Sequence, residues 1–266
     1  MLRLFSIGFV LQLILLIACA SVPITGRSQL NIIPEAEMLN MSYSQYSTFL
    51  SEHKLISTGP QAAMVKRVGQ RIQAAVEAYF AAKGLSSELA NYRWQFELVD
   101  DDQVNAWCMP GGKVVVYTGI LPITADETGL AVVMGHEIAH AIANHGSERM
   151  SHALLQQMGG MALATALEKQ PEETRSMWMS AYGIGSNVAV MLPYSRSHES
   201  EADHLGIIFM AMAGYDPAAA IDFWQRMAAG KGETPPELLS THPSDATRIN
   251  DIRKHLPEAQ QYYNKQ

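Results

Sequence analysis

Cysteine is nearly absent: Cys19 and Cys108 are the only two in 266 residues. A pair of thiols cannot supply the disulfide framework that small secreted scaffolds rely on. Positive charge is scarce too. Lys and Arg total 19 against 26 Asp and Glu, a net charge of -7, so the chain lacks the basic footprint of a nucleic-acid binder. Internal repeats and low-complexity blocks are missing, which excludes solenoids and biased linkers. After the first 18 residues no apolar run approaches the roughly 20 residues that cross a bilayer. Leu154 to Leu167, with Gly159-Gly160 inside it, is too short to span and should pack against a neighbouring helix. What remains is an ordinary globular composition, 48% hydrophobic and 17% charged, long enough to fill a real core. Fifteen methionines in alanine-rich segments read as flexible core filling.

The N-terminus reads as a targeting segment. Arg3 precedes an apolar run from Leu4 to Ala18, interrupted by Ser6, Gly8 and Gln12. A run of about 15 residues suits a signal peptide better than a membrane span. It ends Leu16-Ile17-Ala18-Cys19, which resembles a bacterial lipobox and predicts lipidation of Cys19. Ala20 in place of aspartate favours the outer over the inner membrane, by resemblance to such lipoproteins. Cys108 would then be unpaired. Its neighbours from Asn105 to Pro110 offer no base to form a thiolate, so it reads as a small buried hydrophobe.

Residues 1–18 are therefore assigned to the signal peptide and 19–59 to a tether with a short helix from Glu35 to Leu50. Residues 60–257 form the main domain and 258–266 a C-terminal tail. Pro60 to Ala82 is a helix with Met64, Val65, Val68, Ile72, Val76 and Phe80 at helical spacing and Gly84 beyond its end. Tyr92 to Val99 alternates as a half-buried strand. Strands near Asn105–Met109 and Lys113–Tyr117 flank a Pro110-Gly111-Gly112 turn. The rest is helical: Glu127–Asn144, Ser147–Leu167, Glu172–Leu192, His198–Ala213, Pro217–Ala228 and Pro243–His255, with Gly230–Pro236 as a loop. The predicted class is α+β, mostly α, with a small antiparallel sheet.

Gly135-His136-Glu137-Ile138-Ala139-His140 carries the chemistry. Histidines four apart present both imidazoles on one helix face, where their nitrogens can meet one metal. Glu137 lies next to the open coordination position, placed to take a proton from a metal-bound water and pass it to a leaving amine. Leu130, Val133, Met134, Ile138, Ala141 and Ile142 make this helix apolar and buried, and a metal compensates its polar groups.

A hydrolytic zinc needs a third protein ligand. Glu199 and Asp203 are four apart, so they share a helix face. One could bind metal while the other holds a ligand histidine; an exposed acidic helix start would look the same. Glu201 should point elsewhere, and His198 and His204 compete without sharing that spacing. His145 and His152 read as structural or exposed.

The combination resembles the Ste24/HtpX-like zinc metallopeptidase family, and its periplasmic lipoprotein branch of the LoiP, YcaL and BepA kind. The resemblance runs from about Pro60 to about Ile252. It rests on His136-Glu137-Ile138-Ala139-His140 with Glu199-Ser200-Glu201-Ala202-Asp203, on Asn105-Ala106-Trp107 with Pro110-Gly111-Gly112, and on Thr241-His242-Pro243 with Arg248. It implies a zincin-like (gluzincin) fold and one zinc per chain, held by His136, His140 and Glu199. Asp203 and Arg248 would stand behind the ligands. His242 would be either an oxyanion stabiliser or a fourth zinc ligand that keeps the enzyme latent. Arg248 could pair with Glu199 or Asp203, or lie on the surface.

An extended substrate would pair with the edge strand at Asn105, Ala106 and Trp107, with Gly111 and Gly112 permitting close approach; a purely structural hairpin reads equally well. The implied activity is endopeptidase cleavage of unfolded or misassembled envelope proteins, with Glu137 activating a zinc-bound water. Polypeptides are the implied substrates and outer-membrane assembly machinery a candidate partner. A periplasmic assembly chaperone with latent protease activity, and a zinc hydrolase of cell-wall peptides, are the competing readings.

Overall fold

A computed structural model describes residues 19–22, 25–187, 192–229, 238, 242 and 246–263. The signal segment 1–18, the loop Gly230–Pro236, Thr241 and Pro243 lie outside the described residues. In chain order the main elements are β1 (Cys19–Ser21), β2 (Ser28–Leu30), α1 (Glu35–Glu52), α2 (Pro60–Ala82), β3 (Gln95–Val99), β4 (Ala106–Met109), β5 (Lys113–Tyr117), α3 (Glu127–Ile142), α4 (His145–Ala166), α5 (Glu172–Ser186), α6 (Leu192–Met212), α7 (Ala219–Ala229) and α8 (Ala246–Tyr263). The mostly helical α+β class expected from the sequence is what the chain adopts. It divides into two compact units, Met1–Met38 with Asn144–Ser197, and Leu39–Ala143 with His198–Gln266.

In the second unit a three-stranded sheet runs in the order β3-β5-β4. β5 is central, and all five of its residues are buried, as its run of three valines requires. It pairs antiparallel with β4 but parallel with β3, so the sheet is mixed where an antiparallel one was expected. The Pro110-Gly111-Gly112 turn folds β4 back on β5. The segment after Val99 instead carries the chain past β5 to its far edge, leaving β3 and β5 aligned.

Of the stripe expected on α2, Val65, Val68, Ile72, Val76 and Phe80 are buried and Met64 is half-buried. Gly84, at φ 71°, turns the chain out of it. At Gly69 the helix lies against the Phe96 ring, only 2.2 Å from where a Cβ would stand. α3 starts where the Asp126 side chain accepts the Gly129 N–H at 2.9 Å, an N-cap. It is buried on every side from Gly129 to Ala139, packed among α2, β4 and α7.

In the first unit, α4 packs on α5 and on β2, which pairs antiparallel with β1. Arg27 donates two bonds to the buried Glu148 carboxylate, at 3.0 and 2.7 Å. Tyr182 of α5 sits over Gly159 and Gly160 and donates to the Gln156 carbonyl at 2.9 Å. Yet Leu154, Leu155, Met158 and Met161 of α4 and Met177 and Trp178 of α5 are exposed. These methionines are therefore not core filling, and the Leu154–Leu167 segment buries only part of its apolar surface. Among the described residues no helix is long and apolar enough to cross a membrane. α8 continues through Pro257 to Tyr263, beyond the end expected at His255.

Candidate metal centre

Two helices build the centre. α3 contributes His136, Glu137 and His140, and α6 contributes Glu199 and Asp203. They meet backbone to backbone. A Cβ on Gly135 would lie 2.8 Å from the Gly206 carbonyl oxygen, and one on Gly206 would lie 2.9 Å from the His136 nitrogen. Glycine at both positions lets the carboxylates of α6 approach the imidazoles of α3.

His140 Nε2 lies 3.1 Å from His136 Nε2. The Glu199 carboxylate sits 3.4 Å from His136 Nε2 and 3.3 Å from His140 Nε2. His242 arrives from outside both helices, with Nδ1 2.8 and 3.0 Å from the two Glu199 oxygens and 3.3 Å from His136 Nε2. Donor atoms of these four residues all fall within 4.8 Å of one another. The His242 N–H donates to the Leu238 carbonyl at 2.8 Å, and the Leu238 N–H to the Val104 carbonyl at 3.1 Å. Those bonds fix His242 to the segment leading into β4.

A second layer holds the first. His136 Nδ1 faces Asp203 Oδ1 at 2.9 Å, which turns Nε2 toward Glu199. Arg248 grips both Asp203 oxygens, Nη2 to Oδ1 at 2.7 Å and Nε to Oδ2 at 2.7 Å. It also donates to the His242 carbonyl at 3.3 Å and lies 3.5 Å from Glu199. Arg248 is thus a buried partner of Asp203 and not a surface residue. Its guanidinium stacks 3.3 Å over the Trp224 ring, which also meets the His136 ring edge-on. The sequence singled out neither Trp224 nor Gly206: a tryptophan on the apolar face of α7 and a glycine inside a helix carry no motif. His198 and Glu201 are buried on α6 outside the donor group.

Burial would raise the Glu199 pKa, but hydrogen bonds from His136, His140 and His242 overturn this and hold it well below the carboxylate range. Asp203 is lowered in the same way: burial opposes, and the Arg248 charge and the His136 bond prevail. Glu137 goes the other way. Burial raises its pKa, aided by the Glu199 charge and opposed by His242, His136 and Arg248. Its Oε1 is buried without a hydrogen bond, 3.5 Å from His242 Nε2. Three imidazoles and a carboxylate are the donor chemistry of zinc, and a buried carboxyl oxygen with no partner beside them fits such a centre.

β4 is an edge strand packed beside α3. In its register with β5, Asn105 accepts the Tyr117 N–H, so Ala106 and Cys108 turn their backbone groups to the edge away from β5. The Asn105 side chain accepts the Ala106 N–H at 2.9 Å. The other expected contact residues serve internal packing instead. Trp107 lies in an aromatic cluster with Tyr46, Phe49 and Tyr117, and Tyr43 and Trp94 press against the bare faces of Gly111 and Gly112. Burial, then the Glu137 charge, pushes the Cys108 thiol well up, in keeping with an inert residue. Cys19 opens β1.

The profile of peptidase family M48 matches residues 66–256. The mitochondrial metalloendopeptidase OMA1 of Schizosaccharomyces pombe is 34% identical over 244 residues, 90% of this chain and 67% of that protein. Human metalloendopeptidase OMA1 is 30% identical over 246 residues, 89% of this chain and 46% of that protein. The β-barrel assembly-enhancing protease of Escherichia coli is 28% identical over 181 residues, 60% of this chain and 34% of that protein.

Proposed function

The chain belongs to peptidase family M48 and is a zinc-dependent metalloendopeptidase with a zincin-like fold, and from that premise we propose which residues do the chemistry and where it takes place. His136, His140 and Glu199 hold the zinc, with Asp203 and Arg248 fixing the ring of His136. Zinc supplies Lewis acidity, polarising the scissile carbonyl and making a water more acidic. Glu137 Oε1 takes the proton of the attacking water and delivers it to the departing amine. The substrate lies as an added strand on β4, against the Ala106 carbonyl and the Cys108 N–H and carbonyl.

His242 acts as a fourth donor in a latent state. The observation that carries this is the placement of His242 Nδ1 within 3.3 Å of both Glu199 and His136. With all four donors engaged a zinc would have no open position, so His242 would have to withdraw before a peptide is cut.

The setting is the cell envelope, with Cys19 lipidated and the protein facing the periplasm from the outer membrane, in the lipoprotein branch of the family. The support is the apolar run ending at Cys19 and the similarity to a β-barrel assembly-enhancing protease. Substrates are then unfolded or misassembled envelope proteins, and outer-membrane assembly machinery is a candidate partner. Assembly-chaperone action is the second reading, favoured by the closed donor set. The test is Glu137→Gln in the full chain. Cleavage of unfolded protein should vanish with zinc retained, while suppression of aggregation should survive if the chaperone reading holds. Undiminished cleavage would remove Glu137 from the mechanism.

A further inference from the structure

A second group of metal-capable side chains joins α6 to α8. His204 follows Asp203 directly, so it leaves α6 about 100° round the helix from the residue that holds His136. There it meets His255 and Glu258, which are three apart and share a face of α8. His204 Nε2 is 2.7 Å from Glu258 Oε2, and the His204 and His255 rings stack with centroids 3.9 Å apart. One donor atom from each residue lies within 4.8 Å of the others. The group is reachable from solvent: both histidines are half-buried and Glu258 is exposed. Burial, and then the neighbouring His204, lowers the His255 pKa. Asp251 also faces His255 but is paired with Lys254 at 2.6 Å.

We propose that His204, His255 and Glu258 form an exchangeable site for a divalent cation of the zinc and copper class, separate from the centre at His136. Two imidazoles and one carboxylate suit these borderline ions, with water completing the shell. Calcium and magnesium require more oxygen donors than the cluster offers. Binding replaces the His204–Glu258 hydrogen bond with two metal bonds and requires the stacked rings to turn their nitrogens toward one point. The ion would clip α8 to α6. Because α8 carries Arg248 and α6 carries Asp203, the clip would steady the pair that orients His136.

The probe is zinc alone, in equilibrium dialysis of the full-length protein with metal counted by emission spectrometry. Wild type should bind a second zinc per chain, more weakly than the first. His255→Ala and Glu258→Gln should each lose the second ion and keep the first, whereas Glu199→Ala should keep the second. With the first site already filled by one zinc per chain, further zinc should raise the melting temperature of wild type and not of His255→Ala. Glu258 is exposed, so its substitution does not threaten folding. Absence of a second ion in wild type, or its retention by either α8 variant, overturns the site.

Discussion

Asp203 Oδ1 stands 2.9 Å from His136 Nδ1, buried on the side of the imidazole that faces away from Glu199. The carboxylate thus fixes both the tautomer and the direction of the ring. Asp203→Asn keeps the shape but removes the charge. Zinc affinity should fall roughly 10–100-fold, read by competition with a chelator. An unchanged dissociation constant would mean that the ring needs no such orienting group.

His242 reaches His136 and Glu199 without belonging to α3 or α6. If it closes the centre, His242→Ala should raise cleavage of an unfolded substrate at unchanged zinc content. A loss of about 100-fold or more would instead identify an oxyanion stabiliser.

The contact between Gly135 and Gly206 leaves no room for a methyl group. Gly206→Ala should lower stability by about 1–3 kcal/mol, as overpacking does, and reduce zinc retention. Gly146→Ala in α4 meets open space and is the control; it should be neutral or slightly stabilising. Denaturant midpoints of the two variants decide the matter.

Protonation should oppose zinc. In the metal-free protein His136 is pushed up to about 9 from its ordinary 6.5. Burial and the Arg248 charge pull it down, but the hydrogen bond and charge of Asp203 and the bond of Glu199 outweigh them. A folded state that holds its proton more tightly gains stability that is complete below pH 6.5 and is lost as pH rises through about 9. The melting temperature of the metal-free protein should fall across that window. Zinc uptake near about pH 7.5 should release a proton, seen as a calorimetric heat that varies with the buffer.

The parts of the centre that obey helical spacing were readable from sequence. His136 with His140, and Glu199 with Asp203, are each four apart, and local geometry puts each pair on one face. The family resemblance added His242 and Arg248, whose positions depend on a loop and a distant helix. Three features were not legible. The parallel β3–β5 pair depends on where the chain crosses, not on alternation within strands. The Trp224–Arg248 stack joins residues from separate helices. Gly111 and Gly112 suggested room for a ligand, but that room is filled by Tyr43 and Trp94, a tertiary choice invisible to a turn motif.

The solvent-facing methionines of α4 and α5 have a chemical consequence. Met158, Met161 and Met177 present accessible thioethers, whereas Met134 and Met210 are fully enclosed. An oxidant will therefore convert the outer sulfurs to polar sulfoxides while the interior stays reduced. The oxidation state of the surroundings is written on the apolar skin of those two helices before any damage reaches the packing around the histidines.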